Sequence, residues 1–217
     1  MDISKLLQAG GIVMIPLISF SILAIALIIE RILFWIKLNT RQRKVVQEAL
    51  TFYRRDNLVS TMETLRKNRD LPIARIFLAA LELEEPNPEE FRLALESEAQ
   101  AEIPILKRFQ TVFETVVGLS PLLGLLGTIL GLIGAFSSLN LGDVGGTRTQ
   151  GVTGGISEAL VSTAFGLTVA IFTLFFANTF RGLYQRQIAL IQEYGGQLEL
   201  LYRRYYERDE KDYTSAR

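Results

Sequence analysis

Charged residues are unevenly spread along this chain: none falls in residues 6–29, 115–142 or 159–180, windows of 24, 28 and 22 residues. A hydrocarbon core of about 30 Å is crossed by about 20 helical residues at 1.5 Å each, so each window is predicted to be a transmembrane helix. The first window ends in Glu30-Arg31-Ile32-Leu33-Phe34-Trp35-Ile36-Lys37, a charged and aromatic run of the kind that anchors a span at the interface. Lys5 is the only basic residue before it, and the run exceeds the apolar core of a cleaved signal peptide, so it is expected to stay as a span.

Between and after the spans the pattern changes to amphipathic helix. Val45, Val46, Ala49, Leu50 and Tyr53 recur at helical spacing, and a second stretch runs from about Leu58 to Lys67. Asp70-Leu71-Pro72 opens another helix, because proline suits a first turn in which its missing N–H is not needed. Glu85-Pro86-Asn87-Pro88 breaks it, and Asn87 with Glu90 reads as a capping box. Phe91, Leu95, Ala99, Ile103, Leu106, Phe109 and Phe113 then form one apolar stripe expected to run straight into the second span. A matching stripe, Ile188, Ile191, Tyr194, Leu198, Leu201 and Tyr205, leaves the third. Three helices offer little surface on which to bury both stripes, which argues for an oligomer.

Composition removes whole classes of chemistry. The chain has 217 residues, 23 basic and 23 acidic, with neither histidine nor cysteine. Without them there are no disulfides, thiol nucleophiles or imidazole bases, and most metal sites are lost. Serine–histidine hydrolysis cannot be assembled. No aspartate lies in a span, so an intramembrane aspartyl protease is excluded as well. The chain is read as a non-enzyme without metal or cofactor, and its charge balance gives no support to nucleic-acid binding.

Basic residues set the expected orientation, since they collect on the cytoplasmic side. Thirteen lie in residues 37–114 and seven in 181–217, against Lys5, Arg31 and Arg148 elsewhere. The predicted layout is a periplasmic stub at 1–10, spans at 11–36, 113–139 and 156–180, a cytoplasmic helical loop at 37–112, a periplasmic connection at 140–155 and a cytoplasmic C-terminal helix at 181–217. The fold class is all-α membrane protein, two of its three spans extending into a cytoplasmic bundle.

Within the spans a few residues carry chemistry. Gly127, Gly131 and Ala135 repeat every fourth position, and with Gly124 they form a small face on which helix backbones approach closely. Pro121 is expected to kink the second span and free a carbonyl. Thr128 lies on this glycine face, where its hydroxyl either serves water or an ion or bonds back to its own helix. Glu158 is the acid nearest a span interior. A helix starting near Gly151 carries it about 10 Å inward, where a carboxylate normally faces a bundle interior or a water path; a helix starting at Ser157 leaves it at the interface. Ser162 shares its face, whereas Thr163 is turned about 140° away. A single acid does not make a proton relay, so a second titratable group would come from another protein. The glycine-rich connection at 142–155 lacks a phosphate-loop ending and reads as a turn-rich link.

Two motifs, Ser120-Pro121-Leu122-Leu123-Gly124-Leu125-Leu126-Gly127-Thr128-Ile129-Leu130-Gly131 and Gly155-Ile156-Ser157-Glu158-Ala159-Leu160-Val161-Ser162-Thr163-Ala164-Phe165-Gly166-Leu167, resemble the ExbB/TolQ/MotA proton-channel family, most closely its ExbB/TolQ branch. The resemblance extends over nearly the whole chain. It implies a subunit of a homopentameric ring in the bacterial inner membrane, surrounding the single span of an ExbD- or TolR-like partner whose aspartate carries the proton. It also implies that proton motive force is coupled to an envelope protein such as a TonB-like one. Thr128, Glu158 and Thr163 correspond to the family's ion-pathway residues. Two departures stand out: Thr153 or Gly154 occupies the place of a proline that often precedes the acid motif, and Ile171-Phe172 replaces an Ile-Pro pair. Four spans, as in MotA, are not expected. The competing class is a passive ring that scaffolds partners for envelope maintenance without ion flow. A secondary transporter fits poorly with three spans and no inverted repeat.

Overall fold

The computed structural model describes residues 10–138 and 147–215. They form α1 (Met14–Arg54), α2 (Leu58–Lys67), α3 (Pro72–Leu81), α4 (Pro88–Leu106), α5 (Gln110–Ser137) and α6 (Thr147–Ser215). Residues 1–9 of the stub expected at 1–10 and residues 140–146 of the connection expected at 140–155 lie outside the described residues. Three helical stretches are long and apolar enough to cross a membrane, at Met14–Arg54, Pro88–Ser137 and Gly151–Arg208. Helices α1 and α6, of 41 and 69 residues, are far longer than a bilayer requires, so each joins an apolar stretch to a polar one.

The chain divides into two compact units, Met1–Arg31 with Phe109–Phe180, and Ile32–Arg108 with Arg181–Arg217. The boundaries fall where charge sets in, at Arg31, Arg108 and Arg181. In the first unit small and polar residues share the interior with apolar ones, and many large apolar side chains face outward. Ser120, Ser162, Thr173, Gly124, Gly127 and Gly131 are buried, while Ile22, Ile29, Leu122, Ile129, Ile171 and Phe175 are exposed. That is the pattern of helices whose outer solvent is hydrocarbon: apolar side chains gain nothing by facing inward, and small residues allow close packing. The chain is accordingly an all-α, multi-pass membrane protein.

Packing in this unit fixes helix direction. Val13, Met14 and Leu17 pack with Leu123 and Phe165, and Ala24 packs with Val116 and Val169. Numbers rise together on α1 and α6 and fall on α5, so α1 and α6 run parallel and α5 antiparallel to both.

The second unit has an ordinary core. Helix α3 is buried on most sides, with Ile73, Ala74, Ile76, Phe77, Leu78 and Ala80 enclosed. Its one charged residue, Arg75, pairs in a two-pronged bridge with the buried Glu102 of α4. Asn57 caps α2 by accepting from the Ser60 N–H at 3.0 Å. The Asn87–Glu90 capping box forms as the sequence suggests, with Asn87 Oδ1 accepting from Glu90 N–H at 2.9 Å and Glu90 Oε2 from Asn87 N–H at 2.9 Å. Gln187 of α6 donates to Gln42 of α1 at 2.7 Å, a buried amide pair.

Two expectations are corrected. The stripe from Phe91 to Phe113 does not run into the span as one helix: α4 stops at Leu106 and α5 begins at Gln110. Pro104 lies in the last turn of α4, where its ring and missing N–H disrupt the ladder, and Phe109 takes a left-handed conformation with φ of 67°. The link at 142–155 is also less turn-rich than its glycines suggest, because α6 starts at Thr147 and contains Gly151, Gly154 and Gly155. Glycine inside a helix costs about 1 kcal/mol relative to alanine; close packing at Gly155, described next, is the compensation.

Candidate functional site

The site is built where α5 and α6 cross. A Cβ placed on Gly131 would lie 2.6 Å from the Gly155 carbonyl oxygen, and one on Gly155 would lie 2.5 Å from the Gly131 carbonyl oxygen. Further along, a Cβ on Gly124 would meet the Ser162 carbonyl at 3.1 Å, and one on Gly166 the Ser120 carbonyl at 2.5 Å. The two backbones therefore touch at three levels, and at Gly131, Gly155 and Gly166 glycine is required because the obstacle is main chain, which cannot swing aside. At Gly127 the neighbour is the Ser162 side chain, whose Oγ would be 2.3 Å from an added Cβ. Gly124, Gly127 and Gly131 are buried at this crossing. Gly155 and Gly166 complete it from the other helix; the signal for them was present, as small residues on one face of the third span with Ala159 and Ser162 between them.

Contact at this distance puts polar groups of one helix against carbonyls of the other. Thr163 Oγ1 donates to the Gly124 carbonyl at 3.0 Å. Ser162 Oγ lies 3.0 Å from the Ala159 carbonyl and 3.4 Å from that of Gly124. Thr128 Oγ1 donates to the Leu125 carbonyl at 2.6 Å, so its proton is used within its own helix. Each hydroxyl oxygen retains lone pairs that can accept from water or a proton carrier. Pro121 sits inside α5, which continues through it from Gln110 to Ser137. Near it Ser120 Oγ is fully buried without a hydrogen-bond partner.

Glu158 is eleven residues into α6, about 16 Å from the helix start. The helix begins earlier than either start inferred from sequence. The carboxylate of Glu158 rests on Gly11, where an added Cβ would lie 1.6 Å from Oε1. Gly11 has φ of +68° and lies three residues before α1, so two independent demands, conformation and space, select glycine there. Sequence reasoning missed this residue, although the Gly10-Gly11 pair inside an apolar window was a visible oddity. Glu158 is thus level with the beginning of α1 and with Gly131 of α5.

Of the residues singled out from sequence, Thr163 and Gly124 are brought into direct contact. Glu158 and Thr163 leave α6 in different directions, the first toward α1 and the second toward α5. Among the described residues no group of three or more acids, histidines or cysteines is placed to hold a metal. Chemically, the arrangement offers one titratable carboxylate beside a tightly packed crossing lined with hydroxyls and carbonyls.

Comparison with known proteins gives this site its context. The family model described as "MotA/TolQ/ExbB proton channel family" matches residues 68–193, a stretch that includes both glycine-rich helices and Glu158. The chain is 59% identical to the protein ExbB-like 3 of Synechocystis sp., over 97% of this chain and 100% of that one. It is 42% identical to ExbB-like 1 of the same organism, over 89% of this chain and 76% of that one. With the Tol-Pal system protein TolQ of Haemophilus influenzae it shares 31% identity, over 85% of this chain and 83% of that protein. With its membrane-type helices and the glycine-packed crossing beside Glu158, the chain belongs to the MotA/TolQ/ExbB proton channel family.

Proposed function

We propose that this chain is the proton-channel subunit of an ExbB–ExbD or TolQ–TolR type complex in the inner membrane, and that it couples proton motive force to work on an envelope partner. The observation that carries the reading is the Glu158 carboxylate, held at Gly11 on the α6 helix whose next turn is packed against α5. In this reading Glu158 exchanges protons along the pathway. The hydroxyls of Thr163 and Thr128 line it, and the second carboxylate is an aspartate on the single span of an ExbD- or TolR-like partner. Five copies form the ring around that span, the N-terminus is periplasmic and the C-terminus cytoplasmic. A TonB-like protein is the envelope partner.

The energies match. A unit charge crossing 100 mV releases about 2.3 kcal/mol, comparable to the few kcal/mol that separate two conformations of a switching protein. The test is proton flux into proteoliposomes holding the chain with and without its single-span partner. Flux is expected only with the partner, and Glu158→Gln is expected to lower it at least about tenfold while the complex still assembles. Flux undiminished in that variant removes Glu158 from the pathway. No flux in any assembled complex leaves the passive-scaffold reading.

A further inference from the structure

The second unit contains a cavity of about 710 Å³ that plays no part in the proposed ion pathway. Its wall is partly aromatic and partly aliphatic, with Leu58, Leu81 and Leu83 among the lining residues. Tyr53, Tyr202, Tyr205 and Tyr206 line it, and Tyr202 stacks on Phe91 with ring centroids 4.0 Å apart and planes 1° from parallel. The Tyr202 hydroxyl donates to the Pro86 carbonyl, which fixes the ring edge. Among the described residues the charges on the lining are Asp56 and Glu85, with no lysine or arginine. Both acids sit in the left-handed region, with φ of 62° and 45°. Non-glycine residues rarely adopt it, and they cluster where a site over-determines the backbone.

Aromatic faces with carboxylates at the rim are the chemistry of cation recognition: ring quadrupoles attract the charge and the acids neutralise it. Among the described lining residues an anionic headgroup or phosphate would meet acids, phenols and apolar side chains but no cation. One guanidinium of the chain, though not itself part of the lining, already engages two of the lining residues. Arg208 donates to Asp56 Oδ2 at 2.8 Å and lies 5.0 Å from the centre of the Tyr205 ring.

We propose that this pocket docks a lysine or arginine side chain presented by a basic peptide segment of a partner protein, with Arg208 as the intramolecular occupant it displaces. Charge complementarity selects this occupant. The pocket prefers the flat, weakly hydrated guanidinium, because it can lie on a ring while its edge reaches a carboxylate.

The experiment uses the full chain in neutral phosphatidylcholine nanodiscs. The probes are fluorescein-labelled Gly/Ser decapeptides with two central arginines or two central glutamates, followed by anisotropy. The arginine peptide is expected to bind saturably and the glutamate peptide not at all. Asp56→Asn, which keeps a residue tolerant of the left-handed conformation, and Glu85→Gln are each expected to weaken binding about fivefold to tenfold. Arg208→Ala is expected to tighten it about threefold to tenfold by vacating Asp56 and Tyr205, a gain that damage to the fold would not produce. Equal binding by all variants, or no saturable binding to Arg208→Ala, overturns the proposal. So does a change in oligomer mass in Asp56→Asn, which would identify the occupant as a second copy of this chain.

Discussion

A carboxylate lying on a glycine Cα leaves no room for a methyl group. At Gly11 the added carbon would overlap Glu158 Oε1 and would also have to accept a φ of +68°. Gly11→Ala is therefore expected to cost about 1–3 kcal/mol and to displace the Glu158 side chain, read as lower thermal stability in detergent together with reduced partner-dependent proton flux. Thr163→Val removes a hydrogen bond to the Gly124 carbonyl. The expected loss in stability is about 1 kcal/mol, with proton flux abolished if the hydroxyl also lines the pathway. In the second unit burial, and after it Tyr202, Tyr205 and Asp56, hold the Tyr53 phenol far above its ordinary value of 10.0. The folded protein then favours the protonated phenol. This stabilisation is complete below pH 10.0, where the unfolded phenol is also neutral, and is lost as pH rises through and beyond it. Tyr53→Phe should flatten the alkaline limb of a thermal-stability profile, and an unchanged limb would show that Tyr53 does not set it.

Helices here are held by different forces in the two units. In the first, α5 and α6 touch backbone to backbone, so the size of one side chain decides the crossing. Gly131→Ala puts a carbon 2.6 Å from a carbonyl oxygen, whereas Gly134 has nothing within 4 Å. We expect Gly131→Ala to cost about 1–3 kcal/mol as overpacking and Gly134→Ala to be neutral or slightly stabilising through helix propensity; matched melting curves separate them. In the second unit α3 and α4 are joined by Arg75 and the buried Glu102. Arg75→Ala strands a carboxylate away from water and should cost about 3 kcal/mol, while the double change Arg75→Met with Glu102→Leu should recover most of it.

For the whole molecule, the outward apolar faces of the first unit, with Ile22, Leu122, Ile129 and Phe175 exposed, belong against lipid or neighbouring copies. The proposed ring predicts a detergent-solubilised assembly of five chains by native mass spectrometry; a lone chain that conducts protons with its partner would contradict it.

Much of this organisation was written in one dimension. Three uncharged windows, the proline and asparagine at helix starts, and the Gly-xxx-Gly repeat each act over less than a turn or through hydropathy alone. The spans, the Asn87 cap and the small face of α5 were therefore readable directly. The break between α4 and α5 was not, because a stripe at helical spacing is indifferent to whether Phe109 is right- or left-handed. Nor was the neighbour of Glu158, since Gly11 and Glu158 are 147 positions apart and meet only when α1 packs parallel to α6. Composition and periodicity settled which segments are apolar enough to span and where small residues recur; packing alone decided which carbonyl receives Thr163, which glycine carries the carboxylate, and which tyrosines enclose a cavity, because those are relations between surfaces with no separate signature in either segment.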